Sequence, residues 1–495
     1  MRRTIEQARA DLDVRYRVHI AKKRQIKKAF FKGSAVFALF LVSVLIVIGV
    51  ALPDGRLNEM GSTTSTVSTS QNDLNAYESE SVPENSLNAH ESESVPENSL
   101  DELERPSVEY VIGKNLMAGI KPISVTKKQA DDTFVRAQME FAVHLFKQSC
   151  LENKSTLVSP LSAQLCLAMI ANGAAGETLS EMEQVLGGGL SLEQINEYLP
   201  AYAYGLPSSD IVSLQINNAI WFSEGYPIRK DFLQTNANYY GAELFQTVFD
   251  SASVDEINRW VSENTDGMIE EFIDDIPSET LSVLVNTLLF DGSWENSFDE
   301  KESIEAPFIT YDGKTQMALM MKSEEQIFLS GKDYKGFLKY YDGRDYAFAA
   351  IQPEEAIDIF SFVQNLTGDS LLEILRSAKN DTVNIMLPKF NFEYEADLKD
   401  TMSSMGMPAA FLPEQADFSA MGDVSVGNIY LQKLIQKTKI EISESGTKAA
   451  AVTGGFLGFD SAGNNVFLVR PFVYMIIDTK TNLPIFMGVL TELPE

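Results

Sequence analysis

One stretch of this chain, Leu161 to Ala175, is almost wholly apolar around the full circumference of a helix. A helix with a single apolar face can lie on a protein surface, but a helix that is apolar all round has to be enclosed by other elements. The 495-residue chain can supply that enclosure, since 44% of its residues are hydrophobic and 10% are aromatic. We therefore expect a large domain built around this helix.

Helical and strand patterns are unevenly distributed over residues 116–495. Phe134–Gln148 carries apolar residues at helical spacing, whereas runs typical of strands come later in the chain. These later runs are Leu281–Phe290, Ala347–Gln352, Val383–Leu387 and Phe472–Ile477. Helices early and strands late predict an α+β domain with a large antiparallel or mixed sheet.

A second apolar run, Ser34–Leu52, has nineteen residues and no charge. As a helix it would be about 29 Å long, which matches the hydrocarbon core of a membrane. Residues 1–33 carry eleven Lys or Arg, and this positive-inside bias predicts a cytoplasmic N-terminus and an exported remainder. The sequence thus predicts a single-pass cell-membrane protein anchored through residues 34–52. The alternative is signal cleavage and secretion, because Gly49-Val50-Ala51 offers the small residues that a signal peptidase needs.

Residues 53–115, between this run and the predicted domain at 116–495, are polar and acidic. A thirteen-residue unit occurs twice in tandem there, at 74–86 and 87–99. Such a short and charged repeat cannot bury enough apolar surface to fold, so the segment is predicted to be a disordered stalk. A binding role for the repeat is the alternative.

Charge and composition argue against several kinds of chemistry. The formal net charge is −30, and an acidic surface repels phosphate backbones, so we expect no nucleic-acid partner. The chain has three histidines, at 19, 90 and 144, so a surface hydrolase with a catalytic histidine would have to use His144. A surface histidine on an amphipathic helix is the simpler interpretation. Neither a zinc ligand set nor a phosphate-binding glycine motif is present, and we expect no enzyme activity, metal or cofactor.

Two cysteines, Cys150 and Cys166, are too few for a disulfide framework, although a pairing between them stays open. Cys166 lies in a run of apolar residues, which predicts a buried and unreactive thiol.

Residues 444–455 form an alanine-rich stretch flanked by glycines. A flexible loop is one interpretation. If the stretch instead enters the middle of a sheet, alternate side chains have to fit beneath strands that are already packed. Counted from Thr447, the inward positions are all small and uncharged: Thr447, Ala449, Ala451 and Thr453. Lys448 falls on the outward side, where a charge costs little.

The stretch resembles the reactive-loop hinge of inhibitory serpins, and further motifs resemble the same family in the same order. These are Ser159–Ser162 with Asn172–Ala174, Ile257–Val261 with Thr265 and Gly267, Asn286–Trp294, Leu387–Phe390, Ala416–Ser419 and Arg470–Phe472. The resemblance implies the serpin fold: a large mixed central sheet, smaller sheets, about nine helices and an exposed reactive loop, all in a metastable state.

The resemblance also implies a function without enzyme activity. An inhibitory serpin is a monomer that traps a serine, or in some cases a cysteine, protease as a covalent acyl-enzyme when its cleaved loop inserts into the sheet. The hinge residues that this implies are Glu444, Gly446, Thr447, Ala449, Ala450, Ala451 and Thr453. An exported domain would meet an extracytoplasmic protease. The alternative is a non-inhibitory binding or chaperone module with the same fold at the cell surface.

Family spacing implies that the target protease cleaves the Asp460–Ser461 bond, with Phe459–Asp460 as the alternative. An aspartate before the cleaved bond implies an aspartate-preferring protease. The phenylalanine would suit a chymotrypsin-like or subtilisin-like pocket.

The resemblance further implies a sheet-opening cluster: Ser159, Ser162, Asn286, Trp294 and Gln436. Serpins usually keep a histidine where this chain has Gln436. Because glutamine both donates and accepts hydrogen bonds, we expect an altered version of the cluster. Val469 also stands where the family more often has Asn or Asp.

Overall fold

A computed structural model of the protein describes most of the predicted domain and one strand from the N-terminal region. The described residues are 41–51, 110–111, 113–150, 154–267, 269, 271–277, 280–423, 425, 428–446 and 463–494. The basic segment 1–33 lies outside the described residues, as does most of the predicted stalk.

Nine α-helices lie among the described residues: α1 Asp132–Ser149, α2 Pro160–Ala171, α3 Gly176–Gly187, α4 Leu192–Ala203, α5 Lys230–Tyr239, α6 Ser251–Asn264, α7 Ile359–Asn365, α8 Gly368–Arg376 and α9 Lys399–Met405. Six of them precede residue 280. The predicted bias of helices toward the first part of the domain is confirmed.

Two large sheets hold most of the strands. The six-stranded main sheet has the order β13 Phe390–Asp397, β14 Asn428–Ile442, β1 Leu41–Ala51, β7 Thr280–Gly292, β4 Val212–Ser223 and β6 Glu243–Thr247. The nine-stranded second sheet has the order β15 Asn464–Phe467, β12 Lys379–Pro388, β9 Thr315–Ser330, β10 Tyr334–Tyr340, β11 Tyr346–Pro353, β16 Phe472–Asp478, β17 Pro484–Leu490 and β3 Thr156–Val158, with β8 Ile304–Ile309 on β9.

Both sheets are mixed, because β4 and β6 run parallel in one and β12 and β15 run parallel in the other. The α+β prediction is therefore confirmed. A third, two-stranded sheet pairs β2 Tyr110–Val111, from the end of the predicted stalk, with β5 Ile228–Arg229.

Helix α2 is the enclosed helix that the sequence predicts. Every one of its residues is buried, and it packs against β7 of the main sheet and β17 of the second sheet. Its N-terminus is well defined, because the Ser159 Oγ accepts a hydrogen bond from the Ser162 N–H and Pro160 needs no partner in the first turn. The helix thus lies between the two sheets.

Strand β7 is covered on both faces. Leu284, Leu288 and Phe290 point into the core that contains α2. Val283 and Val285 alternate with them and join a separate core with residues of α6, which lies on the other face. The middle of the main sheet is therefore enclosed, and any strand beside β7 has to fit between two packed layers.

Strand β1 comes from the run for which the sequence predicts a membrane helix. Leu41–Ala51 pairs antiparallel with β14 on one side and with β7 on the other. Among the described residues, no helix is both long enough and apolar enough to cross a membrane. Residues 34–40 and 52 lie outside the described residues. The run is rich in Val, Ile and Leu, which suit a buried strand as well as a membrane helix. The structure thus has a strand where we expect a helix, and the membrane anchor stays a prediction.

Both cysteines are buried and free. Burial raises the pKa of the Cys150 thiol to about 12, and it raises the pKa of Cys166 far above its usual value. Thiols with such pKa values stay protonated and unreactive at neutral pH, as the sequence predicts for Cys166. His144 lies on α1 and is partly exposed.

Candidate functional site

The hinge begins where β14 ends. Ser443 and Gly446 close a tight turn, in which the Ser443 N–H donates to the Gly446 carbonyl at 3.2 Å. Gly446 has a φ of +132°, and a Cβ atom there would lie 2.4 Å from the Gly292 carbonyl oxygen, so only glycine fits. The turn places the chain beside the end of β7, where Gly446 forms an antiparallel bridge with Ser293.

Residues 447–462, which follow the turn, lie outside the described residues. They include the predicted hinge residues Thr447, Ala449, Ala450, Ala451 and Thr453 and the predicted cleavage-site residues Phe459, Asp460 and Ser461. The chain re-enters the described part at Gly463 and continues into β15. The stretch therefore starts at the main sheet and ends at the second sheet.

Residues 293–298, which we call the clamp loop, hold the turn from the β7 side. The Trp294 N–H donates to the Ser445 carbonyl at 3.1 Å, and the Phe298 N–H donates to the Glu444 carbonyl at 2.8 Å. The Trp294 indole Nε1–H donates to the Ser443 carbonyl at 2.9 Å. Three consecutive carbonyls at the start of the hinge, those of residues 443–445, are thus bound by one loop.

Glu444 is also held through its side chain. Its carboxylate accepts a hydrogen bond from the Lys389 ammonium at 2.8 Å, and the Glu444 side chain is only 10% exposed. Lys389 lies between β12 and β13, on the opposite side of the turn from the clamp loop. Lys389 is part of the motif Leu387–Phe390, but the sequence does not predict its ion pair with Glu444.

Four residues of the predicted sheet-opening cluster form two separate sets of hydrogen bonds, whereas the fifth, Trp294, lies in the clamp loop and binds Ser443 and Ser445. In the first set, the Ser162 hydroxyl of α2 donates to the Asn286 side-chain oxygen of β7. The Asn286 amide then donates to the Asn218 oxygen of β4 at 2.6 Å, and the Asn218 amide donates to the Tyr204 hydroxyl at 2.7 Å. Asn218 and Tyr204 extend the cluster beyond the residues that the sequence predicts.

The second set involves Gln436 of β14. Its side-chain amide donates to the Ser159 carbonyl at 3.0 Å, and its side-chain oxygen accepts from the Ser159 N–H at 3.1 Å. Among the described residues, the side-chain hydrogen bonds of Gln436 go to Ser159 rather than to Asn286. The glutamine therefore uses both its donor and its acceptor, and it binds the backbone of α2's N-terminal cap.

These two sets tie both neighbours of β1 to the first turn of α2. Asn286 of β7 and Gln436 of β14 pair with the same backbone position, residue 44 of β1. One neighbour is tied through Ser162 and the other through Ser159. Any widening of the sheet at this level has to break one of these two contacts.

The far end of the reactive stretch is attached to the second sheet. β15 runs parallel to β12, and the Asn464 amide donates to the Asp381 carboxylate at 2.9 Å. The Val469 carbonyl accepts a hydrogen bond from the Ile309 N–H at 2.8 Å through its backbone, which any residue type provides. The change from Asn or Asp at position 469 therefore leaves this contact intact.

Comparison with known proteins agrees with the motif order. The model of the family described as "Serpin (serine protease inhibitor)" matches residues 136–493. Serpin B10 of Otolemur garnettii is 31% identical over 395 residues, which cover 72% of this chain and 98% of that protein.

Solved structures show the same fold. The crystal structure of the thermophilic serpin tengpin in its native state has a TM-score of 0.73 and 40% identity, and the match covers 77% of this chain and 100% of that chain. Tengpin in the latent state has a TM-score of 0.65 and 36% identity, with 74% of this chain and 100% of that chain covered. The helices, the mixed sheets and the order of the motifs therefore have one explanation: the chain belongs to the serpin family.

Proposed function

We propose that this serpin is an irreversible suicide inhibitor of an extracytoplasmic serine protease, which it traps by loop insertion. Serpins are generally protease inhibitors rather than enzymes. In the proposed reaction the protease serine attacks the carbonyl carbon of residue 460, and the amine of Ser461 leaves. The remaining acyl ester is then carried along as residues 447–460 enter the main sheet, before water can hydrolyse it.

The observation that supports this most strongly is the strand position between β7 and β14. Residues 41–51 occupy this position as β1 and pair with both neighbouring strands. The main sheet can therefore accommodate a strand between β7 and β14. β1 runs antiparallel to β14. A strand that follows β14 through the tight turn at Ser443–Gly446 would run in the same direction, so the reactive loop fits this position in its orientation.

The composition of the loop fits as well. The enclosed middle of the main sheet leaves little room beneath an inserted strand, and the inward positions of the loop hold only Thr and Ala. The antiparallel bridge between Ser293 and Gly446 lies at the end of β7, where a ladder between β7 and an inserted strand would begin. The turn at Ser443–Gly446 would therefore be the starting point of insertion.

Residues 41–51 and the reactive loop cannot occupy this position together, because they need the same backbone donors and acceptors of β7 and β14. The proposal therefore requires β1 to leave before the loop enters. A membrane helix formed from residues 34–52 would withdraw these residues from the sheet. Such a helix would also set the location: an N-terminus in the cytoplasm and a serpin domain outside, with secretion after signal cleavage as the alternative.

The test is to incubate the full chain, kept in detergent micelles, with aspartate-specific, chymotrypsin-like and subtilisin-like serine proteases. We expect a complex that survives SDS with at least one of them, and mass measurement of the released fragment would identify the cleaved bond as Asp460–Ser461 or Phe459–Asp460. Cleavage of the loop by every protease without any stable complex would overturn the proposal and favour the non-inhibitory binding or chaperone role.

A matched pair of variants sharpens this test. Thr447→Arg places a guanidinium on the inward side of the inserting strand, where burial of an unpaired charge slows insertion. We expect cleavages per trapped protease to rise at least about tenfold. Lys448→Arg puts the same group on the outward side and should leave the ratio unchanged. The same number of cleavages per trapped protease in both variants would contradict insertion of the reactive loop into the main sheet.

A further inference from the structure

A buried ion pair lies beneath the clamp loop, where the sequence gives no hint of it. The Lys339 ammonium, on β10, is 2.6 Å from the Glu325 carboxylate, on β9. The side chains are 1% and 9% exposed. The Ser323 hydroxyl donates to the same carboxylate oxygen at 2.6 Å and fixes its orientation.

Stability alone is a poor explanation for this pair. Removing two charges from water costs several kcal/mol per ion, and well-packed apolar residues in their place are often neutral or stabilising. Burial lowers the pKa of Lys339, although the Glu325 carboxylate opposes that effect. A second explanation therefore has to come from what the ammonium contacts.

All further contacts of the Lys339 ammonium that the structure gives are with the clamp loop. It donates a hydrogen bond to the Asn296 carbonyl at 2.8 Å. It also lies 4.2 Å from the centre of the Phe298 ring and 5.4 Å from that of the Trp294 indole, within the range of cation–π attraction. One positive charge thus supports the beginning, the middle and the end of the loop from below.

The upper side of the same loop holds the hinge. Trp294 and Phe298 provide the three N–H groups that bind the carbonyls of Ser443, Glu444 and Ser445. The two residues that contact the ammonium through their rings are therefore the same two whose N–H groups bind these three carbonyls. A continuous set of contacts runs from Glu325 through Lys339 and the clamp loop to the turn at Ser443–Gly446.

We propose that Lys339, oriented by Glu325, is a positioning residue that keeps the clamp loop in the geometry from which loop insertion starts. This inference rests on the proposed inhibitory function. The residue does not touch the protease or the cleaved bond. It acts on the competition between insertion and hydrolysis of the acyl-enzyme, and not on acylation itself.

The first measurement uses Lys339→Met, which keeps the length of the side chain and removes the charge. We expect cleavages per trapped protease to rise about two- to fivefold, since the clamp loop loses one hydrogen bond and two weak cation–π contacts. The rate of acylation should stay unchanged. Lys335→Met is the control, because Lys335 is on the same strand and makes an exposed ion pair with Glu354.

A double variant separates positioning from stability. Lys339→Met with Glu325→Leu removes both buried charges, so we expect its melting temperature to return toward that of the wild type. Because no ammonium then reaches Asn296, the raised number of cleavages per trapped protease should remain. A double variant that traps the protease as efficiently as the wild type would overturn the positioning role.

Hydrogen exchange of the uncleaved proteins makes this result independent of inhibition. We expect the amides of Trp294 and Phe298 to exchange faster in both the single and the double variant than in the wild type. If the wild type forms no complex at all, the proposed function fails, and this exchange measurement still decides the positioning role. Unchanged exchange at the two amides would overturn it.

Discussion

The two large sheets bury their strands in different ways. In the second sheet, β16 and β17 are buried at every position, and their side chains are almost entirely apolar. In the main sheet, the strands on either side of β1 bury polar side chains among their apolar ones: Thr280, Ser282, Asn286, Thr287, Gln436 and Thr438. Apolar contacts in a close-packed core are lost outright when a strand moves, whereas hydrogen bonds can be remade with new partners.

The main sheet also contains buried polar groups that lower the free energy of unfolding. Among the residues that the structure describes, two neighbouring hydroxyls on β7, those of Thr280 and Ser282, are buried without a hydrogen-bond partner, whereas β16 of the second sheet has one, the Tyr474 hydroxyl. Each such group costs about 1–3 kcal/mol. The comparison suggests a division of roles, in which the second sheet is the permanent core and the main sheet is the part that can exchange a strand.

The largest effect is expected in the second sheet. Ile476→Ala on β16 removes a fully buried side chain, and we expect the free energy of unfolding to fall by about 2–5 kcal/mol. Because this core should be the same before and after loop cleavage, both forms should lose a similar amount. Denaturant unfolding of each form measures it. Ile309→Ala, on the exposed side of β8, is the control and should cost much less.

A smaller effect is expected at the polar cluster of the main sheet. Asn286→Ala leaves Ser162 and Asn218 without their shared partner, and we expect a loss of about 1–3 kcal/mol in the uncleaved form. Asn391→Ala, at an exposed position of β13 in the same sheet, should have almost no effect. If Asn286→Ala lowered the free energy of unfolding more than Ile476→Ala does, the proposed difference between the two sheets would be wrong.

The smallest effect is expected from β1 itself. Ile46→Pro removes a backbone donor in the middle of the strand but is tolerated in a membrane helix. We expect β1 to be weakened by about 1 kcal/mol, so that the fraction of molecules in micelles that can trap a protease rises by up to about fivefold.

Phe37→Pro is the matched control for this variant, because it lies in the same apolar run but before β1. It should leave the trapping fraction unchanged. Faster hydrogen exchange along β7 and β14 in Ile46→Pro alone would support the exclusion of the loop by β1, and identical exchange in both variants would contradict it.

The sequence predicts those parts of the molecule whose signals are local. The enclosed helix α2 follows from apolarity on all its sides, whereas the tight turn at Ser443–Gly446 is found only in the structure. The motif order identified the family and brought Ser159, Ser162, Asn286 and Gln436 to one region, but not the split of their hydrogen bonds into two sets.

Other features depend on contacts between distant residues. The pair Lys339–Glu325 joins two charged residues on neighbouring strands, and a charged residue in a sequence is normally interpreted as exposed. The fate of residues 41–51 is not predictable from composition, because the same Val, Ile and Leu side chains are stable in a membrane and between two strands. The outcome depends on which of these environments is available.

The central claim is that the main sheet gains the reactive loop as a strand once the loop is cut. The most direct measurement is calorimetric unfolding of the full chain in micelles before and after cleavage within residues 455–466. A new set of backbone hydrogen bonds in the main sheet should raise the melting temperature by at least about 10 °C. A cleaved protein that unfolds at the same temperature as the intact one would have gained no strand, and the account of trapping would be wrong.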